Sequence, residues 1–237
     1  MDGSIVFARN LEHYAAIEYE EETEKLKFFA ERQTPKANRH QLGDFFIRSG
    51  NVATEILEIA NAKQIDLIVM GMSQKKKLAN ALFGNISLAV LNKAPCPVFL
   101  VPPQAMYLGI NNIVYAVDFE KPDLVSLRLL LEWAKAFDTT LHLLYVIPYT
   151  VVIKPTPYID AFLEAFPEEI AEGLIEFQYV TGDIQKEIIE YVKDIDADMV
   201  VLAKGARKFW KYLLTPSLVE RIAGEIDVSV LVFKRTI

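Results

Sequence analysis

Residues 50–71 read GNVATEILEIANAKQIDLIVMG, and residues 182–203 read GDIQKEIIEYVKDIDADMVVLA. The second stretch lies 132 positions beyond the first, and at that one offset Gly50, Glu55, Glu58, Asp66 and Val69 meet Gly182, Glu187, Glu190, Asp198 and Val201. In each copy a glycine followed by Asn51 or Asp183 suits a helix start, because a short polar side chain can accept from an unpaired N–H of the first turn. Apolar residues then recur at helical spacing: Val52, Ile56, Leu57 and Ile59 in one copy, Ile184, Ile188, Ile189 and Val192 in the other. Residues 67–70 and 199–202 follow as unbroken apolar runs, the pattern of parallel strands covered on both faces by helices.

Working outward, the offset continues through a basic loop, a second helix and a closing strand, 98–101 against 230–233. Both closing strands are apolar and end their units, so each would leave an unpaired edge; pairing with each other within one chain removes both edges. Pro102, Pro103 and Gln104 form a short stiff connector between the copies. Beyond it we read a strand at 113–117, a helix at 123–137, a strand at 141–147, a short helix near 158–166 and a strand at 175–180. Strands alternating with helices define an α/β chain of two tandem open, doubly wound parallel sheets. The expected domains are 1–104 and 105–237.

The first copy is the shorter. From Asn10 to Gly50 there are 40 residues, against 64 from Asp118 to Gly182, so about one βα unit is missing. Residues 5–8 match either 113–116 or 143–146. The first register is preferred because four consecutive positions agree, and it sets Asn10 opposite Asp118. Residues 11–33 then form one long helix with Glu20 to Glu24 on its solvated face, ended by Thr34-Pro35.

The chain has 237 residues, a net charge of −7 and a single cysteine, Cys96. An acidic balance disfavours nucleic acid and anionic membranes, which are met by basic surfaces. One cysteine permits no internal disulfide, and we expect a cytoplasmic protein. Every long apolar run is cut by charge, Pro or Gly short of the roughly 18 residues a membrane helix needs, and the first residues carry no basic leader.

Residues 66–71, DLIVMG, with the stretch 72–87 and the closing APCPV of 94–98, resemble the carboxy-terminal half of a universal stress protein domain. Residues 113–118, IVYAVD, resemble its first strand. The resemblance implies a five-stranded parallel sheet, pairing of the last strands of two domains, hence an intramolecular pseudo-dimer of the two copies, and in some members ATP bound by G-x2-G-x9-G-(S/T). Such a loop leaves a strand and enters a helix, so glycines let backbone N–H groups close on phosphates at a positive helix end. In the first copy Gly71 and Gly84 keep the first and third glycine positions, but Gln74 replaces the second and Asn85 the Ser/Thr. In the second, Ala203, Ala206 and Pro216 replace all three and Ser217 remains. The binding Asp implied at the end of the first strand is matched by Asp118 in the second copy and by Asn10 in the first. Neither copy keeps both halves of an ATP site.

Other signals have bland readings beside the sharp ones. Lys75 to Lys77, with Lys204, Arg207, Lys208 and Lys211, can hold an anion, though a loop charge run is more often a solvated surface. Asp118 can bind a ligand at a strand's carboxyl end or cap the next helix. His13, His40 and His142 lack metal-ligand spacing. Cys96 reads as a small buried apolar residue. Trp210 and Tyr212 read as helix anchors. No G-x-S-x-G or convergent acid–base pair is present. The expectation is therefore a non-enzymatic regulator with decayed nucleotide sites and no cofactor. Its alternative is an ATP or other anionic small-molecule binder using the loop from Gly71 to Asn85.

Overall fold

A computed structural model of the chain describes residues 19–32, 43–72, 85–105, 109–117, 124–149, 164–204 and 216–234. The chain forms two units, residues 1–51 and 52–237. In the first, helix α1 (19–32) carries Lys25 paired with Glu21 and Glu22 at 3.0 and 2.9 Å, and Lys27 paired with Glu24 at 2.9 Å. Glu20, Glu21, Glu22 and Glu24 are exposed, as the solvated face required. Pairs of this kind add about 0.2–0.5 kcal/mol each. Residues 43–50 form neither helix nor strand. The expected long helix is thus met over 19–32; its flanks, and the strand placed at 5–8, lie outside the described residues.

The second unit runs α2 (Val52–Ala62), β1 (Ile68–Gly71), α3 (Asn85–Lys93), β2 (Val98–Val101), β3 (Asn112–Ala116), α4 (Leu124–Phe137) and β4 (Thr140–Ile147). It continues with α5 (Pro167–Ala171), β5 (Ile175–Thr181), α6 (Ile184–Asp194), β6 (Met199–Lys204), α7 (Pro216–Glu225) and β7 (Ser229–Lys234). The repeat offset holds in local conformation. Helices α2 and α6 start and stop at equivalent positions, and the turns after them place Gln64 and Asp196 at φ 50° and 49°. A residue in the left-handed region at a helix end lets the chain double back into the following strand.

The Asp183 carboxylate accepts the Lys186 N–H at 3.0 Å, and Ile184, Ile188, Ile189 and Val192 are buried, as the spacing required. In α2 the buried positions are Ala53 and Ala60, with Ile56 and Leu57 half-buried, whereas Val52 is 52% exposed. The inward stripe is therefore shifted from the one read in the sequence, onto Ala53 and Ala60. The short helix expected near 158–166 is described only at 164–165. A separate helix, α5, follows, with Pro167 in its first turn beside Glu168 and Glu169. Proline there gives up an N–H that has no intrahelical partner, and the two carboxylates suit the positive helix end.

Among the described residues the strands form one seven-stranded sheet in the order β1-β2-β7-β6-β3-β4-β5. Its two parallel blocks meet at one antiparallel pair, β2 with β7, where Val98 faces Val232, Phe99 faces Leu231 and Leu100 faces Val230. The closing strands of the two copies thus pair with each other, as their apolar edges demanded. Beneath α2, α3, α6 and α7 lies a core including Val90, Leu100, Ile188, Val200 and Ile222. On the other face α4 covers Ile113, Tyr115, Leu141 and Val201.

Candidate functional site

The nucleotide-loop positions are reached from the strand ends. Gly71 closes β1 opposite Val101, whose carbonyl accepts the Met72 N–H at 2.8 Å. Its φ lies outside the left-handed region, and a Cβ placed on it would meet nothing within 4 Å. The fold itself therefore does not require glycine there. Asn85 is the first residue of α3, so Gly71 and Asn85 bracket the loop as strand end and helix start.

In the second copy the equivalent of Gly71 is Ala203. Ala203 is 5% exposed and belongs to the α4-face core with Tyr115, Leu231 and Phe233. Ser217 is the second residue of α7, after Pro216. Asn10, Gln74, Gly84, Asp118 and the basic loops that leave β1 and β6 lie outside the described residues.

A polar cluster in the second unit carries no counterpart in the sequence reading. His142 sits in β4 with 6% exposure. Its Nδ1 lies 3.2 Å from the Tyr191 hydroxyl and 3.4 Å from Glu176 Oε2, and its Nε2 lies 3.1 Å from Asn112 Oδ1. Asn112 Nδ2 donates to the Ile195 carbonyl at 3.1 Å, which makes its Oδ1 the acceptor. The imidazole then carries its proton on Nε2 and accepts the Tyr191 O–H at Nδ1. Burial lowers the His142 pKa below its ordinary value, against the smaller upward pull of Glu176. Burial and then Glu176 raise the Tyr191 phenol above its own. The only sequence signal was a histidine inside an otherwise apolar strand.

Cys96 is buried and free, its thiol pKa raised chiefly by burial. Among the described residues no group of three or more His, Cys, Asp or Glu could hold a metal, and no helix is long and apolar enough to cross a membrane.

A cavity of about 760 Å³ opens on the α4 face, where β1, β2 and β7 run beside that helix. Val69, Phe99 and Val101 line its floor with Trp133 and Phe137 of α4 beside them, and Asp198, Asp227, Gln104 and Ser229 supply polar groups. Sequence reasoning missed it because residues 67–70 read as a strand covered on both faces.

The universal stress protein family profile matches residues 5–102 and again 109–234, and the chain belongs to that family. It is similar to a universal stress protein of Methanocaldococcus jannaschii, 37% identical over 84 residues, which cover 35% of this chain and 46% of that one. The match thus spans about half the length of that curated relative. Among solved structures, a universal stress protein from Archaeoglobus fulgidus superposes with a TM-score of 0.60 at 22% identity, over 77% of this chain and 65% of that chain. A Pseudomonas aeruginosa protein assigned to the same family gives 0.56 at 21% identity, over 79% and 69%. At such identities the likeness speaks for the fold, and it agrees with two family domains in tandem on parallel α/β sheets.

Proposed function

We propose that this chain is a non-catalytic regulatory member of the family whose two nucleotide loops have decayed, working as a pseudo-dimer of its repeats, 1–104 and 105–237, in the cytoplasm. The observation that carries the reading is the burial of Ala203. At the first loop position of the second copy, a methyl packed into the core stands where a glycine would admit phosphate. Pro216 further removes an N–H from the start of α7. The first loop has lost its second glycine to Gln74, which forfeits glycine's ready access to positive φ.

The free buried thiol of Cys96 supports the compartment. The β2–β7 pair supports the pseudo-dimer, since it relates equivalent strands of the two repeats. Mass spectrometry of freshly purified protein tests the nucleotide part: the reading expects no stoichiometric nucleotide, and a co-purifying one overturns it.

The second reading, an ATP or other anionic small-molecule binder, is favoured by the open space above Gly71 and by the start of α3 at Asn85. A helix start after a strand attracts an anion through its unpaired N–H groups. Asn10, Gln74 and Gly84 would then serve the first copy, and Asp118 with Ser217 the second.

A further inference from the structure

The His142 cluster lies wholly within the second unit and takes no part in either reading of the nucleotide loops. His142 is the third residue of β4, and by the alternation of a strand it shares the α6-covered face with Leu144 and Val146. Its Nε2–H donates to Asn112 Oδ1 at the start of β3, and its Nδ1 accepts the Tyr191 O–H from α6 at 3.2 Å. Asn112 also donates to the Ile195 carbonyl just past α6, so two ties from the end of that helix to the sheet meet at this ring. Glu176 of β5 stands as a second partner for the same nitrogen, its Oε2 3.4 Å from Nδ1. One nitrogen cannot serve both. A bare Nδ1 accepts from the phenol, whereas a protonated Nδ1 only donates, and a carboxylate is a stronger acceptor for it than a neutral phenol oxygen. Nε2–H donates in both states, so the bond to Asn112 persists.

We propose that His142 is a proton-operated latch on α6: neutral, it holds Tyr191 and the last turn of the helix to the sheet; protonated, it turns Nδ1–H to Glu176 and releases the Tyr191 hydroxyl to water. Tyr191 is half-buried, which gives its hydroxyl that outlet. Among the described residues the other charges around the ring are engaged elsewhere or turned to solvent. On α6, Lys186 and Glu190 pair with each other at 3.6 Å, Lys193 and Asp194 are exposed, and Glu187 folds over Gly182 at the opposite end of the helix. From β3 comes the neutral Asn112, and at the start of β6 Asp198 Oδ2 accepts the Asn111 and Asn112 N–H groups at 2.7 and 3.1 Å. Burial opposes protonation of the ring more than Glu176 favours it. The latch therefore opens below the ordinary histidine range, and the signal it answers is acid.

The test is side-chain nitrogen NMR of the whole protein, titrated from mildly alkaline to acid pH, with amide exchange measured alongside. His142 should start as the Nε2–H tautomer and titrate with a midpoint below about 6.5. The Tyr191 ring signals should move with that midpoint, and amide protection over residues 191–194 should fall several-fold across it. Tyr191→Phe removes the donor to the neutral ring, so it should raise the midpoint by about 0.5–1 pH unit and abolish the pH-dependent loss of protection. Glu176→Gln removes the acceptor of the protonated ring, so it should lower the midpoint. Because Glu176 is exposed, that fall should be the smaller and should shrink with added salt. A merely structural histidine would not give opposite signs in the two variants. Three results overturn the proposal: midpoints that move together or not at all in the two variants, Tyr191 signals indifferent to the titration, or a chain that unfolds before His142 takes up its proton.

Discussion

Phe99 and Leu231 face each other across the antiparallel pair of β2 and β7, and they are also the same position of the two repeats, 132 residues apart. The flanking partners, Val98 with Val232 and Leu100 with Val230, exchange under the same operation. A local two-fold axis therefore passes through the Phe99–Leu231 pair. A self-complementary contact between equivalent strands is what the proposed pseudo-dimer of the two repeats requires.

Because this seam joins the two parallel blocks, truncation there should be costly. Leu100 is fully buried, so Leu100→Ala should lose about 2–5 kcal/mol by removing buried methyl groups and leaving a cavity. Val69→Ala, at an exposed site, should stay within about 0.5 kcal/mol. Urea melts of both variants check the pair; equal losses would contradict the burial difference.

The apolar runs 98–101 and 230–233, with the offset, made the seam legible in the sequence, and the stripe Ile184, Ile188, Ile189 and Val192 gave α6 correctly. The open face over Val69 was not legible. Residues 67–70 are as apolar as 199–202, and whether a helix covers a strand depends on partners distant in sequence. His142 and Tyr191 are 49 positions apart and meet only because α6 packs on β4. Of the loop positions, Gly71 and Ala203 gained environments the motif alone could not supply: open space for one, a filled core for the other.

His142 should make stability fall on acidification. Its native pKa is lowered, so above the ordinary value near 6.5 both folded and unfolded states hold it neutral and its contribution is constant. Below that value the unfolded chain takes up the proton first, and stability is lost until pH reaches the lowered native pKa. Urea midpoints measured from pH 7.5 downward should decline through this window, and His142→Gln should flatten that part of the slope. An unchanged slope would contradict the assignment.

Cys96 should be silent toward a thiol reagent such as a disulfide dye in the native protein, since burial excludes the reagent and raises the thiol pKa. One thiol per chain should appear on adding denaturant. Rapid reaction in the native state would contradict its burial.

The nucleotide question is tested most directly by a thermal melt with millimolar Mg-ATP. A ligand that binds only the folded state at 100 times its Kd adds about 2.7 kcal/mol, a readily measured rise in Tm. Decayed loops predict a Tm unchanged by Mg-ATP. A clear rise abolished by Gly84→Val would contradict the account in favour of the first-copy loop, and one abolished by Asp118→Ala or Ser217→Ala would contradict it in favour of the second.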